Sequence, residues 1–229
     1  MPGGDDVLVE EHLRQLAGRL HGPRRLRTDL LTEARHGLLD AVEAYRDGGL
    51  PGREASRQAV ADFGTPDQLA PAYQAELAVG ALRGLSLRVV AFAGAASVAG
   101  DLTWRGSSWS EHGPRPPAGY LLLSQSVNWI WAGALLLGLA GLVLVAATAR
   151  SAHPVLTRLA RVVGTALTGA AAVGTLAGVG LFAWSLLMWE AALTWPPMII
   201  GMLALGAAQV WLVRAAHTWL RATRRLADG

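Results

Sequence analysis

The 229-residue chain is expected to be all-α, with a small helical domain over residues 1–83 followed by a four-helix transmembrane bundle over residues 84–229. Three observations predict this class. Charge is unevenly spread: residues 1–83 hold 10 Arg and 13 acids, a net of −3, whereas residues 84–229 hold 10 Arg and 4 acids, a net of +6. Only 16% of the chain is charged, against roughly 25% in an average soluble domain, and the shortfall lies in the second part. That part contains three stretches free of Asp, Glu, Lys and Arg, namely Pro116 to Ala149, Val162 to Trp189 and Ala191 to Val213. Each meets the roughly 20 residues that a helix needs to cross a bilayer.

Before the first apolar stretch the pattern is that of a small amphipathic helical domain. Val9, Leu13, Leu16 and Leu20 recur at i, i+4, i+7 and i+11 and mark one side of a first helix. Gly22-Pro23 ends it and starts the next. Leu26, Leu30, Ala34, Leu38, Ala41 and Tyr45 mark a longer second helix, which Asp47-Gly48-Gly49 terminates. A third helix is expected from Pro51 to Phe63, with Ala55, Ala59, Val60 and Phe63 inward. Gly64 suits a left-handed position. Thr65 can cap the helix that follows, Pro66 takes its first position, and Gln68 can complete a capping box. Leu69, Tyr73 and Leu77 continue the inner face toward Gly84, with no linker richer than Leu82-Arg83-Gly84 before the first span.

Trimming polar and Pro-rich ends places spans near 125–149, 162–187 and 196–215. A fourth, near 85–104, is shorter in its charge-free core, Val89 to Gly100. Arg88 can snorkel to one interface and Asp101 lies at the other. Topology argues for it. The connection RSAHPVLTRLAR carries Arg150, Arg158 and Arg161 without an acid, and the C-terminal segment carries Arg221, Arg224 and Arg225. Both are expected on the cytoplasmic side, and the connection holding Glu190 on the other. Four crossings then leave both termini and residues 1–83 in the cytoplasm, in a multi-pass protein of the inner (cytoplasmic) membrane. The stretch MPGGDDVLVEEHLRQL is acidic and has no apolar core, so no secretory signal peptide is expected.

Trp104, Trp109, Trp129, Trp131, Trp189 and Trp195 all fall near the proposed outer ends, where indoles anchor helices at the interface. Small residues should mediate helix packing in lipid. Ala170, Gly174 and Gly178 recur every four residues in the third span and form the candidate packing face. Within one chain this face would join the bundle; between chains it would make a homodimer.

Little points to chemistry. With no Cys, disulfides, Cys-ligated zinc and thiol catalysis are excluded. The polar candidates, Asp101, Glu111, His112, Gln125, Asn128 and Glu190, sit near the outer boundary, and Glu111-His112 lacks the HExxH spacing. His153 and His217 lie beside the cytoplasmic boundaries. No catalytic, cofactor or metal site is expected. AVADFGTPDQLAPAY has helix-turn-helix offsets. However, Pro51 to Leu82 sets Arg53 and Arg57 against Glu54, Asp62, Asp67 and Glu76, the wrong balance for phosphate contacts, so no direct nucleic-acid binding is expected.

The succession VEEHLRQLAGRL, a Pro-led helix ending AVEAYRDGGL, then EASRQAVADFGTPDQLAPAY resembles the HAAS domain, also met as the permease prefix domain, over residues 5 to 80. The positions that carry the family's turn are Phe63, Gly64, Pro66, Leu69 and Ala70. The resemblance implies a cytoplasmic module fused to membrane helices, often encoded beside a PadR-like transcriptional regulator and thought to bind it. The expected function is therefore an integral membrane regulatory or adaptor protein with such a regulator as partner, held in an exposed apolar groove. The alternatives are an auxiliary subunit of an ABC-type transporter, and a membrane enzyme in which Asp101, Glu111, His112 and Glu190 meet in an outer pocket.

Overall fold

In a computed structural model, which describes residues 6–104, 116–150, 154–189 and 194–224, every stripe of apolar residues noted above lies on a helix. The elements are α1 (Asp6–Arg19), α2 (Arg24–Asp47), α3 (Gly52–Phe63), α4 (Pro66–Trp104), α5 (Ala118–Thr148), α6 (Pro154–Met188) and α7 (Pro196–Arg224). Among the described residues there is no strand, and four helices, α4 to α7, are long and apolar enough to cross a membrane. The chain divides into two units, residues 1–81 together with 218–229, and residues 82–217. The first boundary falls two residues before the expected one. The grouping of 218–229 with the first unit differs from the sequence division, which left that segment with the bundle.

The first unit holds two apolar clusters. Val9 and Leu13 of α1, Ala34, Leu38 and Val42 of α2, and Ala55 and Ala59 of α3 form one. Leu16 and Leu20 of α1, Leu30 of α2 and Leu77 of α4 form the other. Successive turns of α1 thus feed successive clusters, which is why its apolar positions run its full length. Helix α2 ends in a Schellman motif: Gly49 N–H donates to Arg46 O at 2.9 Å and Leu50 N–H to Tyr45 O at 3.1 Å. Its turning residue is Gly49, at φ 94°, where a side chain would be strained. At the C-terminal end of α7, Trp219 and Ala222 are buried in this unit.

In the second unit the outward surfaces are apolar. Leu122, Trp129, Leu136, Val143, Leu176, Leu187 and Leu203 are all at least two-thirds exposed, the inverse of a water-soluble helical protein and the pattern expected where lipid covers the surface. Helices α5 and α6 pack along each other. Helices α4 and α5 approach closely through glycine. A Cβ on Gly138 would lie 2.9 Å from Val90, and one on Gly141 would lie 2.4 Å from the buried Ser86 Oγ.

The apolar helices outrun their expected spans. Helix α5 starts at Ala118, not 125, and α6 at Pro154, not 162. Hydropathy marks the lipid-embedded part of a helix, whereas a helix ends where a breaker or an unsatisfied backbone ends it. Pro116-Pro117 is such a breaker ahead of α5, and Leu121 N–H donates to Pro117 O at 3.2 Å.

Candidate functional site

The five turn positions sit between α3 and α4. Gly64 adopts φ 97°, ψ 161°. This is positive φ as expected, but not the left-handed helical region: it is the extended positive-φ region open essentially to Gly alone. Thr65 and Gln68 form the reciprocal capping box. Gln68 N–H donates to Thr65 Oγ1 at 3.3 Å, and the Gln68 Oε1 accepts from Thr65 N–H at 2.9 Å. Pro66 is buried at the first position of α4, where its missing N–H costs no helical bond. Phe63 packs on the first cluster and meets the His12 ring edge-on at 6.1 Å. Leu69 and Ala70 pack on the second cluster. The five residues therefore join two halves of a core, and none of them is an exposed anchor.

A neighbouring polar node was missed in the sequence. Gln74 is buried, and its carboxamide pairs with both polar groups of one peptide residue. The Oε1 accepts from His21 N–H at 2.9 Å, while Nε2 donates to His21 O at 2.6 Å. The second Nε2 proton goes to Ala222 O at 2.7 Å. One side chain thus ties the α1–α2 connection, α4 and the end of α7 within the first unit. The reverse amide orientation would set N–H against N–H, so the pairing fixes the geometry. A polar residue on the inward stripe beside Tyr73 and Leu77 was the available signal. For the end of α7 it was the stripe Leu212, Ala215, Trp219 and Ala222, which continues beyond the charge-free window.

Two titrating groups in this unit are perturbed. His12 is buried and its Nε2 has no hydrogen-bond partner; burial lowers its pKa from 6.5 and keeps it neutral. Tyr45 donates to the Asp62 carboxylate, which raises the phenol pKa because the donated proton is retained. At the surface, Arg19 clamps Asp67 with Nε and Nη2 at 2.7 and 3.1 Å, joining α1 to α4.

The candidate packing face of α6 is divided. Gly174 is buried under Trp131, with a built Cβ 2.9 Å from its ring, whereas Gly178 has nothing within 4 Å and Ala170 is half-buried. The buried positions among the described side chains of α6 are Ala160, Gly164, Leu167, Ala171, Gly174 and Ser185. Trp131 is accordingly not an interface anchor. It is 8% exposed and its ring centroid lies 4.5 Å from that of Phe92. Trp129 is exposed, and Trp189 and Trp195 lie 6.5 Å apart. The side chains of Trp104, Trp109, Glu111, His112, His153 and Glu190 lie outside the described residues, as do those of Arg224 and Arg225. Asp101, Gln125 and Asn128 are each exposed.

Polar contacts hold the second unit together at several levels. Tyr120 and Ser185 share a hydrogen bond of 3.0 Å between α5 and α6, and Gln209 of α7 donates to Thr175 of α6. Such bonds are worth about 0.6 kcal/mol on average in lipid. Among the described residues no group of His, Asp and Glu is placed to hold a metal ion. The first unit exposes only two large apolar side chains among its described residues, Val7 and Leu50. Its exposed surface is instead the charged side of α2, with Arg24, Arg25, Asp29, Glu33, His36, Asp40 and Glu43. No family model matches the chain, nor does any curated protein or solved structure. Four helices able to cross a membrane make the chain consistent with a multi-pass membrane protein.

Proposed function

We propose that this chain is an integral membrane regulatory or adaptor protein of the inner membrane, with both termini cytoplasmic, whose first unit binds a cytoplasmic partner. The observation that carries this reading is α4. One uninterrupted helix supplies Leu77 to a core of soluble type and Leu85, Val89 and Phe92 to a unit whose exterior is apolar. A module built this way is tethered at the membrane with a folded, charged surface available to other proteins. The resemblance to HAAS domains points to a PadR-like transcriptional regulator as that partner. With few apolar side chains exposed on the first unit, contact would run through the alternating charges on the outer side of α2, which favour specificity and orientation over raw affinity.

The test is co-purification from detergent extracts of cells that also express a PadR-like regulator. The full chain should retain it, and a chain lacking residues 1–80 should not. Charge reversal of the α2 surface by R25E with E33R should weaken capture. Recovery of the regulator with the membrane helices alone would contradict the assignment.

A further inference from the structure

We propose that Arg88 and Trp211 form a binding site for the phosphate of an anionic phospholipid. The inference rests on the reading that α4 to α7 cross a membrane, and not on the identity of any protein partner.

Arg88 is the last charge before the charge-free run Val89 to Gly100, and Trp211 lies three residues before Arg214, which ends the run from Ala191. Both therefore stand where the hydrocarbon region gives way to headgroups, the depth of the lipid phosphates. The Arg88 guanidinium carbon lies 5.1 Å from the centroid of the Trp211 ring. The ring face attracts the cation but offers no acceptor, and a guanidinium carries five N–H donors. Arg88 makes no hydrogen bond or ion pair with any described residue. Its donors thus point to a ligand with acceptor oxygens, and a phosphate matches the guanidinium fork.

Two further observations select a lipid over a soluble phosphate. The flanking side chains Leu87, Val210 and Val213 are 48%, 53% and 56% exposed, an apolar surface along which acyl chains can lie. The alternation of α4 to α7 brings Arg83, Arg150, Arg158, Arg161 and Arg214 to the same side as Arg88, while the sole acid among the described residues of this unit, Asp101, is at the opposite end of α4. Within this unit that side holds six Arg and no acid among the described residues, a field that concentrates anionic lipid near the site.

The experiment is native mass spectrometry of the full chain in detergent, titrated with phosphatidylglycerol. One lipid should bind more tightly than the rest. R88Q should weaken that first event about tenfold, the loss expected for a charge-assisted bidentate contact, and R88K should fall between because it keeps charge without the fork. R158Q removes the same charge elsewhere on that side and should leave the first event intact. Should R88Q fail to fold, W211F and W211L decide, since the first keeps a ring face and the second does not; equal binding by the two would overturn the site. Equal losses in R88Q and R158Q would reduce it to diffuse charge. Equal binding of phosphatidylcholine, or displacement of the lipid by inorganic phosphate, would also refute it.

Discussion

Leu38 and Leu176 each stand near the middle of a long helix, yet Leu38 is fully buried and Leu176 is 74% exposed. In α2 the apolar positions form a stripe because only one side faces a core and the other faces water. In α6 the apolar residues run all round, and five of its six buried positions, Ala160, Gly164, Ala171, Gly174 and Ser185, are small, with Leu167 the exception. Along α2 burial therefore falls mainly on large apolar side chains, Leu30, Leu38 and Val42, whereas along α6 it falls mainly on small ones. The physical cause is the solvent: water drives Leu into the core, but lipid tails give Leu no reason to leave the surface and reward close backbone approach instead.

That contrast can be broken by substitution. The largest effect is expected from L38A, which leaves a cavity between α1, α2 and α3 and should cost about 2 to 5 kcal/mol, read as lost protection in hydrogen exchange confined to the first unit. Next is L176D. On a water-facing surface this change would lie within about 0.5 kcal/mol of neutral, but at a lipid-facing helix centre it should cost about 2.5 to 3.5 kcal/mol of insertion, measured by the inserted fraction after translation into membranes. Inserted fractions equal to wild type would mean that Leu176 does not face lipid. G64V should destabilise the first unit by about 1 to 3 kcal/mol because a β-branched residue cannot adopt φ 97°, ψ 161° without strain; its thermal midpoint in detergent should fall, while G178V, with open space around it, should leave the midpoint unchanged.

The smallest effect concerns pH. His12 has a lowered pKa in the folded chain, so the unfolded chain binds a proton first as pH falls. Stability that is complete above 6.5 should decline as pH drops below that value toward the lower folded pKa, and H12L should flatten this slope for the first unit. An unchanged slope in H12L would show that other groups set it.

Most of the architecture was readable from residue order because periodicity and charge-free length are local signals. The inner residues of α1, the capping box at Thr65 and Gln68, and the glycine at 64 follow from neighbours within four residues. Three features did not follow. Trp131 lies in the same short segment as Trp129, and only the position of Gly174 on another helix decides that one is buried and the other exposed. Gln74 pairs with a backbone 53 residues earlier and another 148 residues later, and no sequence pattern encodes such a partner. The end of α7 continues a helical stripe into charged sequence, where hydropathy hides it. The candidate site residues Phe63, Gly64, Pro66, Leu69 and Ala70 lie in the core and the turn of the first unit.

Both the tether and the partner reading depend on α4 crossing the membrane, which would put the first unit on the same side as the Arg-rich connection after α5. The absence of native Cys allows a direct measurement: single cysteines at D40C, R150C and T194C, probed in intact cells with a membrane-impermeant maleimide. Labelling of T194C alone, with D40C and R150C reacting only after lysis, is the predicted result. Labelling of D40C in intact cells would contradict the account.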